Sequence, residues 1–374
     1  MTFSIAQVVV EADPVLAYRL VPYDGRITAA YASSLAAREE VAPQGRALAD
    51  DLAKRALWQD PVAVAAAVTL GMNADARGDT AAARRYFAYA QTLSRRDLWT
   101  QLFMIEDAVQ RGDVPAALHQ YDITLRVFPK MGDLLFPVLA SASGNPEIRN
   151  SLVKTLARKP LWSDGFISFA AWNSPDPKVM AALFVDLGRS DVAIPEAAAA
   201  GAVNTLIAAG QLSAAWSLYA VTRPGADHRR SRDPKFAITN QHPSQLDWTP
   251  INDGGVTTGI RGGVFDFAAP ASIGGALLQQ LQLLPAGSYR LIGHSTGIEQ
   301  APEASPYWTL RCKDGRELGR IEIPNSKVTK GRFLGNFNVP TGCPIQMLVL
   351  MARSSDTVTG LSGQIDRVEL VPVD

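Results

Sequence analysis

Four histidines, two cysteines and scattered carboxylates are the side chains of this 374-residue sequence with the widest chemical reach. His119, His228, His242 and His294 are far apart, and none has the spacing of a helical metal pair or stands beside paired cysteines. The glycines of Gly254-Gly255-Val256-Thr257-Thr258-Gly259 lack the lysine and hydroxyl that complete a phosphate-cradling loop, and no Gly-x-Ser-x-Gly elbow presents a nucleophile. The doublets Glu39-Glu40, Asp50-Asp51 and Glu106-Asp107 fall on helical stretches, where adjacent residues point about 100° apart and cannot face one substrate. Asp247, Asp253, Asp266, Tyr307 and His294 would support a polysaccharide lyase or glycoside hydrolase only if the fold brought an acid and a base together in a cleft. The chain is therefore expected to be noncatalytic and to carry no cofactor.

Cys312 and Cys343 lie on neighbouring strand-like segments. Two readings stay open: a disulfide closing a loop of about 30 residues, worth roughly 3 to 4 kcal/mol, or two buried free thiols. A bridge would imply an oxidising compartment such as the periplasm or cell envelope. Basic and acidic residues number 36 each and balance within both halves, so no charge asymmetry points to nucleic acid or an anionic membrane. No stretch approaches the roughly 18 apolar residues of a membrane span, and Phe3 to Val10 is too short for a span or a complete signal peptide. Leu16 to Asp24 reads as the tail of a repeat whose first helix is missing, which raises the expectation of an upstream segment with an anchor or signal.

The elements that must position these residues divide at about residue 225. In the first half Arg77-Gly78-Asp79, with Ala83, Phe87 and Ala90, recurs 34 residues later as Arg111-Gly112-Asp113, with Ala117, Tyr121 and Thr124. That period is the mark of stacked helical hairpins. The segments resemble tetratricopeptide repeats: Leu70-Gly71 occupies the first-helix pair, Gly78 the turn and Ala83 the tight crossing, while Met104-Ile105 departs from the pattern in the next repeat. Beyond residue 130 the period fades, but Asn145-Pro146-Glu147, Asp176-Pro177 and Ile194-Pro195-Glu196 read as helix starts, and Gly210 as a further turn. The resemblance implies an α-solenoid over residues 1–225 whose groove docks a protein partner. Its groove positions map to Tyr31, Ser34 and Arg38, to Val68, Met72 and Asp75, and to Trp99, Leu102 and Glu106.

Residues 226–247, with His228-Arg229-Arg230-Ser231-Arg232-Asp233-Pro234-Lys235, read as a solvated linker or a salt-bridged strip. From Trp248 the period becomes two, and seven or eight short strands punctuated by glycine and proline predict an antiparallel β-sandwich over 248–374, with Lys313-Asp314-Gly315-Arg316 as a hairpin turn. Leu284-Pro285-Ala286-Gly287-Ser288-Tyr289-Arg290-Leu291, the strand around Trp308 and the closing Gly363 to Leu370 together resemble jelly-roll carbohydrate-binding modules and galactose-binding-like domains. That resemblance implies polysaccharide binding. It also implies a calcium ligand at Asp366, although Arg367 replaces the second aspartate of the pattern. Alternation puts Tyr289, Trp308, Leu310 and Cys312 inward, and Arg290, His294, Tyr307 and Arg311 outward as glycan-binding candidates, with Trp248 and Gln364 at the rim. Phe265 and Phe337 are expected in the core. The expected whole is a multidomain α plus β binding protein of the cell envelope, suited to exopolysaccharide assembly or export. A purely protein–protein scaffold with a structural sandwich is the alternative.

Overall fold

The computed structural model describes residues 2–37, 43–190, 192–239, 241–354 and 360–373. The chain forms two compact units, Met1–Phe136 with Pro146–Ser163, and Pro137–Asn145 with Asp164–Asp374. A helical N-terminal half is followed by an antiparallel β-sandwich.

The first unit is built from α1 (Thr2–Val9), α2 (Pro14–Leu20), α3 (Gly25–Ala36), α4 (Pro43–Gln59), α5 (Val64–Ala76), α6 (Thr80–Leu93), α7 (Leu98–Gln110), α8 (Val114–Val127), the start of α9 (Gly132–Ala142) and α10 (Pro146–Leu156). Thr2–Val9 packs on α2. Asp13, Asp24, Asp79, Asp97 and Asp113 accept backbone N–H groups at helix starts, each cap stabilising by about 1 kcal/mol. The echo in the sequence is an echo in backbone geometry. Gly78 and Gly112 have φ of +76° and +69°; the N–H groups of Asp79 and Asp113 reach back to the carbonyls of Ala74 and Ala108, closing each helix before the aspartate caps the next.

Small residues set the packing. A Cβ on Gly71 would lie 2.9 Å from the Phe87 ring, which stacks on Phe103 at 4.2 Å between centroids. Successive hairpins are joined by a polar clip that repeats with its charges redistributed. Between α4 and α5, Asp50 accepts from Asn73 Nδ2 (2.7 Å) and Arg77 Nη1 (2.8 Å). Thirty-four residues on, between α6 and α7, Arg84 stands in place of Asp50 and Asp107 in place of Asn73. Asp107 now accepts from Arg84 and from Arg111 Nε at 3.1 Å.

The second unit continues α9 and adds α11 (Ser163–Asn173), α12 (Pro177–Arg189), α13 (Glu196–Ala208) and α14 (Leu212–Thr222). The expected helix starts at Pro146, Pro177 and Glu196 are present. Gly210, with φ +72°, closes α13 as Gly78 closes α5: Gln211 N–H reaches the Leu206 carbonyl. The sandwich follows as β1 (Thr249–Pro250), β2 (Thr257–Arg261), β3 (Val264–Ala269), β4 (Gly275–Gln282), β5 (Gly287–Thr296), β6 (Tyr307–Cys312), β7 (Glu317–Glu322), β8 (Arg332–Val339), β9 (Gln346–Ala352) and β10 (Leu361–Pro372). One sheet runs β1-β4-β9-β6-β7 and the other β2-β3-β10-β5-β8, with every pairing antiparallel. Phe265, Tyr289, Leu291, Trp308, Leu310, Phe337, Leu350 and Ile365 fill the space between them.

Residues 226–247 are not solvated throughout: Arg229 and Arg230 are exposed, with Arg230 3.6 Å from Glu369 on β10 as a salt-bridged strip would have it, but other residues are built into the sandwich. Ser231 and Arg232 are buried, and Phe236 enters the sandwich core against Trp248 and Phe265. The segment lies along β10: Ser231 N–H donates to Leu370 O, and Val368 N–H donates to Pro234 O. The Arg232 guanidinium donates to the carbonyls of Leu246 (2.9 and 3.1 Å) and Leu281 and to Gln282 Oε1 (2.8 Å). Those acceptors offset the desolvation of the charge, which still lowers its pKa to about 10. Beside it, Tyr219 OH donates to Asp247 Oδ1 (2.8 Å), while Ser244 donates to Oδ2 through both N–H and Oγ. Burial, then the Asp247 charge, raises the Tyr219 pKa far above its usual value.

Candidate functional site

The outer face of the β2-β3-β10-β5-β8 sheet carries the candidate site. Alternation turns Phe265, Phe267 and Ile365 into the core and leaves Asp266 and Gln364 outside. The register then aligns two transverse rows: Gly259, Asp266, Gln364 and Thr296, and beside it Thr257, Ala268 and Ser362. Small residues in these rows leave a hollow of about 550 Å³, with Arg261 at its wall. Among the described residues, the side chains of Arg261, Asp266 and Gln364 form no hydrogen bond or ion pair, so a cationic donor, an anionic acceptor and an amide all face the hollow unengaged. Such a set can bind hydroxyl groups, which both donate and accept.

The sequence candidates are distributed unevenly around this hollow. Gln364 lines it. His294 is on the same face, with Nδ1 2.9 Å from both oxygens of Asp366. Asp366 is thus held by histidine, and among the described residues no three His, Cys, Asp or Glu side chains gather as a metal would require. Arg290 is exposed on β5 six residues before Thr296, about 20 Å along the strand.

Tyr307 and Arg311 belong to the other sheet. The Tyr307 side chain points away from the core as its alternation requires, yet it is only 8 % exposed. The Arg320 and Arg353 guanidinium groups cover its ring at 5.0 and 4.9 Å, so the expected open aromatic platform is closed. Glu322 accepts from Arg353, and Glu317 from Arg320; the latter bond holds the Glu317 carboxyl below the usual range. Arg311 stands 3.6 Å from Glu317. Trp248 is a core residue, 5 % exposed, rather than a rim residue, and packs against Phe236 and Trp308. Cys312 and Cys343 are joined in a disulfide, with Cα atoms 5.7 Å apart.

On the helices, Tyr31, Met72 and Leu102 are half-buried, with Tyr31 tilted against Tyr18 at 5.2 Å. Asp75 and Glu106 are exposed, as is Trp99 at 57 %. Arg38 lies outside the described residues. Sequence reasoning missed Arg261 and Thr296 and gave Asp266 only an enzymatic role. The alternation Val264-Phe265-Asp266-Phe267 carried the signal for Asp266, since a carboxylate between two core phenylalanines must face outward.

No family model matches the chain, and no curated protein matches it. Among solved structures, it is similar to a Glycosylation Associate Protein (Gap123) complex from Streptococcus agalactiae, with a TM-score of 0.24 and 11% identity over 34% of this chain and 44% of that one. It is also similar to the enzymatically active domain of tailspike protein 4 from Bacteriophage CBA120, with a TM-score of 0.24 and 16% identity over 34% of this chain and 19% of that one. The chain thus spans less than half the length of either match, and overlaps at this TM-score carry no functional implication.

Proposed function

We propose that this chain is a noncatalytic binding protein whose sandwich holds a glycan and whose helical half, read as a tetratricopeptide-like solenoid, docks a protein partner. The observation that carries the glycan reading is the unengaged trio Arg261, Asp266 and Gln364 around an open hollow of about 550 Å³. Sugar hydroxyls can satisfy all three, and the hollow has the dimensions of a small-ligand site. The exposed Trp99 supports the docking role, because an accessible aromatic is a common anchor of protein interfaces. The Cys312–Cys343 disulfide supports an oxidising compartment such as the cell envelope.

The test is equilibrium binding of the full chain to a panel of neutral and acidic polysaccharides. Asp266→Ala and Gln364→Ala should each weaken saturable binding by about tenfold, the effect of about 1.4 kcal/mol per lost polar contact, while Arg290→Ala should leave it unchanged. No saturable binding to any member of the panel, or binding indifferent to both hollow substitutions, would leave the protein-scaffold alternative.

A further inference from the structure

A second site lies in the first unit, between α8 and α10. On α8, His119, Asp122 and Arg126 recur at spacings of three and four and share one face; on α10 and just beyond it, Ser151, Lys154, Thr155 and Arg158 do the same. Together with Pro160 they line a cavity of about 290 Å³. Asp122 is its one acidic lining residue, and that carboxylate is occupied: Arg126 donates Nε at 2.9 Å and places Nη2 at 2.8 Å, and Trp162 Nε1 donates at 3.0 Å. The Asp122–Arg126 pair is neutral. Among the described residues, His119, Lys154 and Arg158 have no hydrogen bond or ion pair, so the cavity keeps a surplus of positive charge.

Lys154 and Arg158 are four apart, where like charges repel unless something anionic stands between them. The carbonyl end of α10 favours cations in its last turn, which accounts for Lys154 there. It does not account for a hollow that adds His119 from another helix and the hydroxyls of Ser151 and Thr155. The Thr155 hydroxyl already donates to the Ser151 carbonyl at 3.0 Å, whereas among the described residues the Ser151 hydroxyl has no partner. Positive charge with a free hydroxyl donor is the chemistry that recognises an oxyanion.

We propose that the α8–α10 groove is an oxyanion site that takes a phosphate or carboxylate group, with Lys154 and Arg158 as its principal ligands and Ser151 as a neutral donor.

The test is calorimetric titration of the full chain with inorganic phosphate, acetate and, as the neutral control, acetamide. At low salt at least one of the two anions should bind, and the affinity should fall as ionic strength rises, because partly exposed charges are screened. Exposed Lys154 and Arg158 can be changed without disturbing the core. Arg158→Gln should weaken anion binding about tenfold and the Lys154→Ser, Arg158→Ser double variant should weaken it further, the scale expected for hydrogen bonds to charged groups. Phosphate binding with no response to acetate would identify a phosphate site, and the converse a carboxylate site. No binding of either anion, acetamide binding as well as acetate, or an affinity unchanged in the double variant would overturn the proposal.

Discussion

Replacing Arg232 by methionine separates a structural charge from a functional one. The substitution keeps the aliphatic stem and removes a buried guanidinium whose acceptors are Leu246 O, Leu281 O and Gln282 Oε1. Orphaning three buried acceptors at roughly 1 to 3 kcal/mol each destabilises by about 6 kcal/mol. Against this, methionine relieves the desolvation of the charge. The fall in pKa from 12.5 to about 10 corresponds to about 3 kcal/mol. The net expectation is a loss of about 3 kcal/mol, concentrated where the 226–247 segment meets β4 and β10. Urea unfolding of the full chain, with hydrogen exchange on those segments as the local readout, measures it. A methionine variant within about 1 kcal/mol of the parent, with β4 amides equally protected, would refute the view that this guanidinium clamps the segment into the sandwich.

Two further outcomes test the polar clusters. Asp50→Ala should cost about 2 kcal/mol, since it strips the common acceptor from Asn73 and Arg77, whereas exchanging the pair as Asp50→Asn with Asn73→Asp should cost under about 1 kcal/mol because Asp107 already serves from the other helix one period later; thermal unfolding distinguishes the two. Tyr219 keeps its proton in the fold when the unfolded side chain has lost it, so its contribution is full below pH 10 and declines as pH rises above it. Arg232, with its folded pKa lowered to about 10, has the opposite slope between about pH 10 and 12.5. Tyr219→Phe should therefore be about 1 kcal/mol less stable at pH 7 and close the gap to the parent above pH 10, as followed by denaturant unfolding across that range.

The helical turns were legible because one residue type does one local job. Gly78, Gly112 and Gly210 adopt the left-handed conformation that ends a helix, and the aspartates after the first two cap the next. Most strands were legible from alternation. β4 was not, because Ala276-Leu277-Leu278-Gln279-Gln280-Leu281 is a run of helix formers with no period of two, buried on both faces of its strand. The burial of Ser231, Arg232 and Phe236 within the 226–247 segment was not legible, for a different reason. The groups that neutralise Arg232 are largely main-chain carbonyls, which leave no trace in composition, so a buried arginine looks the same in sequence as the exposed Arg229 and Arg230. Tyr307 was turned to the correct side, but its cover comes from Arg320 on β7 and Arg353 just past β9, distant in sequence.

The same accounting of partners separates structural polar residues from those available to a ligand. Asp107, Asp122, Asp247 and Arg232 are engaged from several directions, and a ligand at any of them would first have to break bonds already made. His294 and Asp366 are exposed on the candidate face yet engage each other, so a ligand there gains only the difference between two hydrogen-bonded states. Arg261, Asp266 and Gln364 impose no such competition. Neither do Lys154 and Arg158. Their solvated side chains exchange water for ligand directly, and each group lines a concave space that can hold a partner on more than one side. Chemical type therefore selected too many candidates on this chain: six residues suited a sugar, and one of them, Gln364, lines the hollow. Type together with the absence of an internal partner selects two small constellations, one mixed in charge on the sandwich and one cationic on the helices, whose different charge patterns call for different ligands.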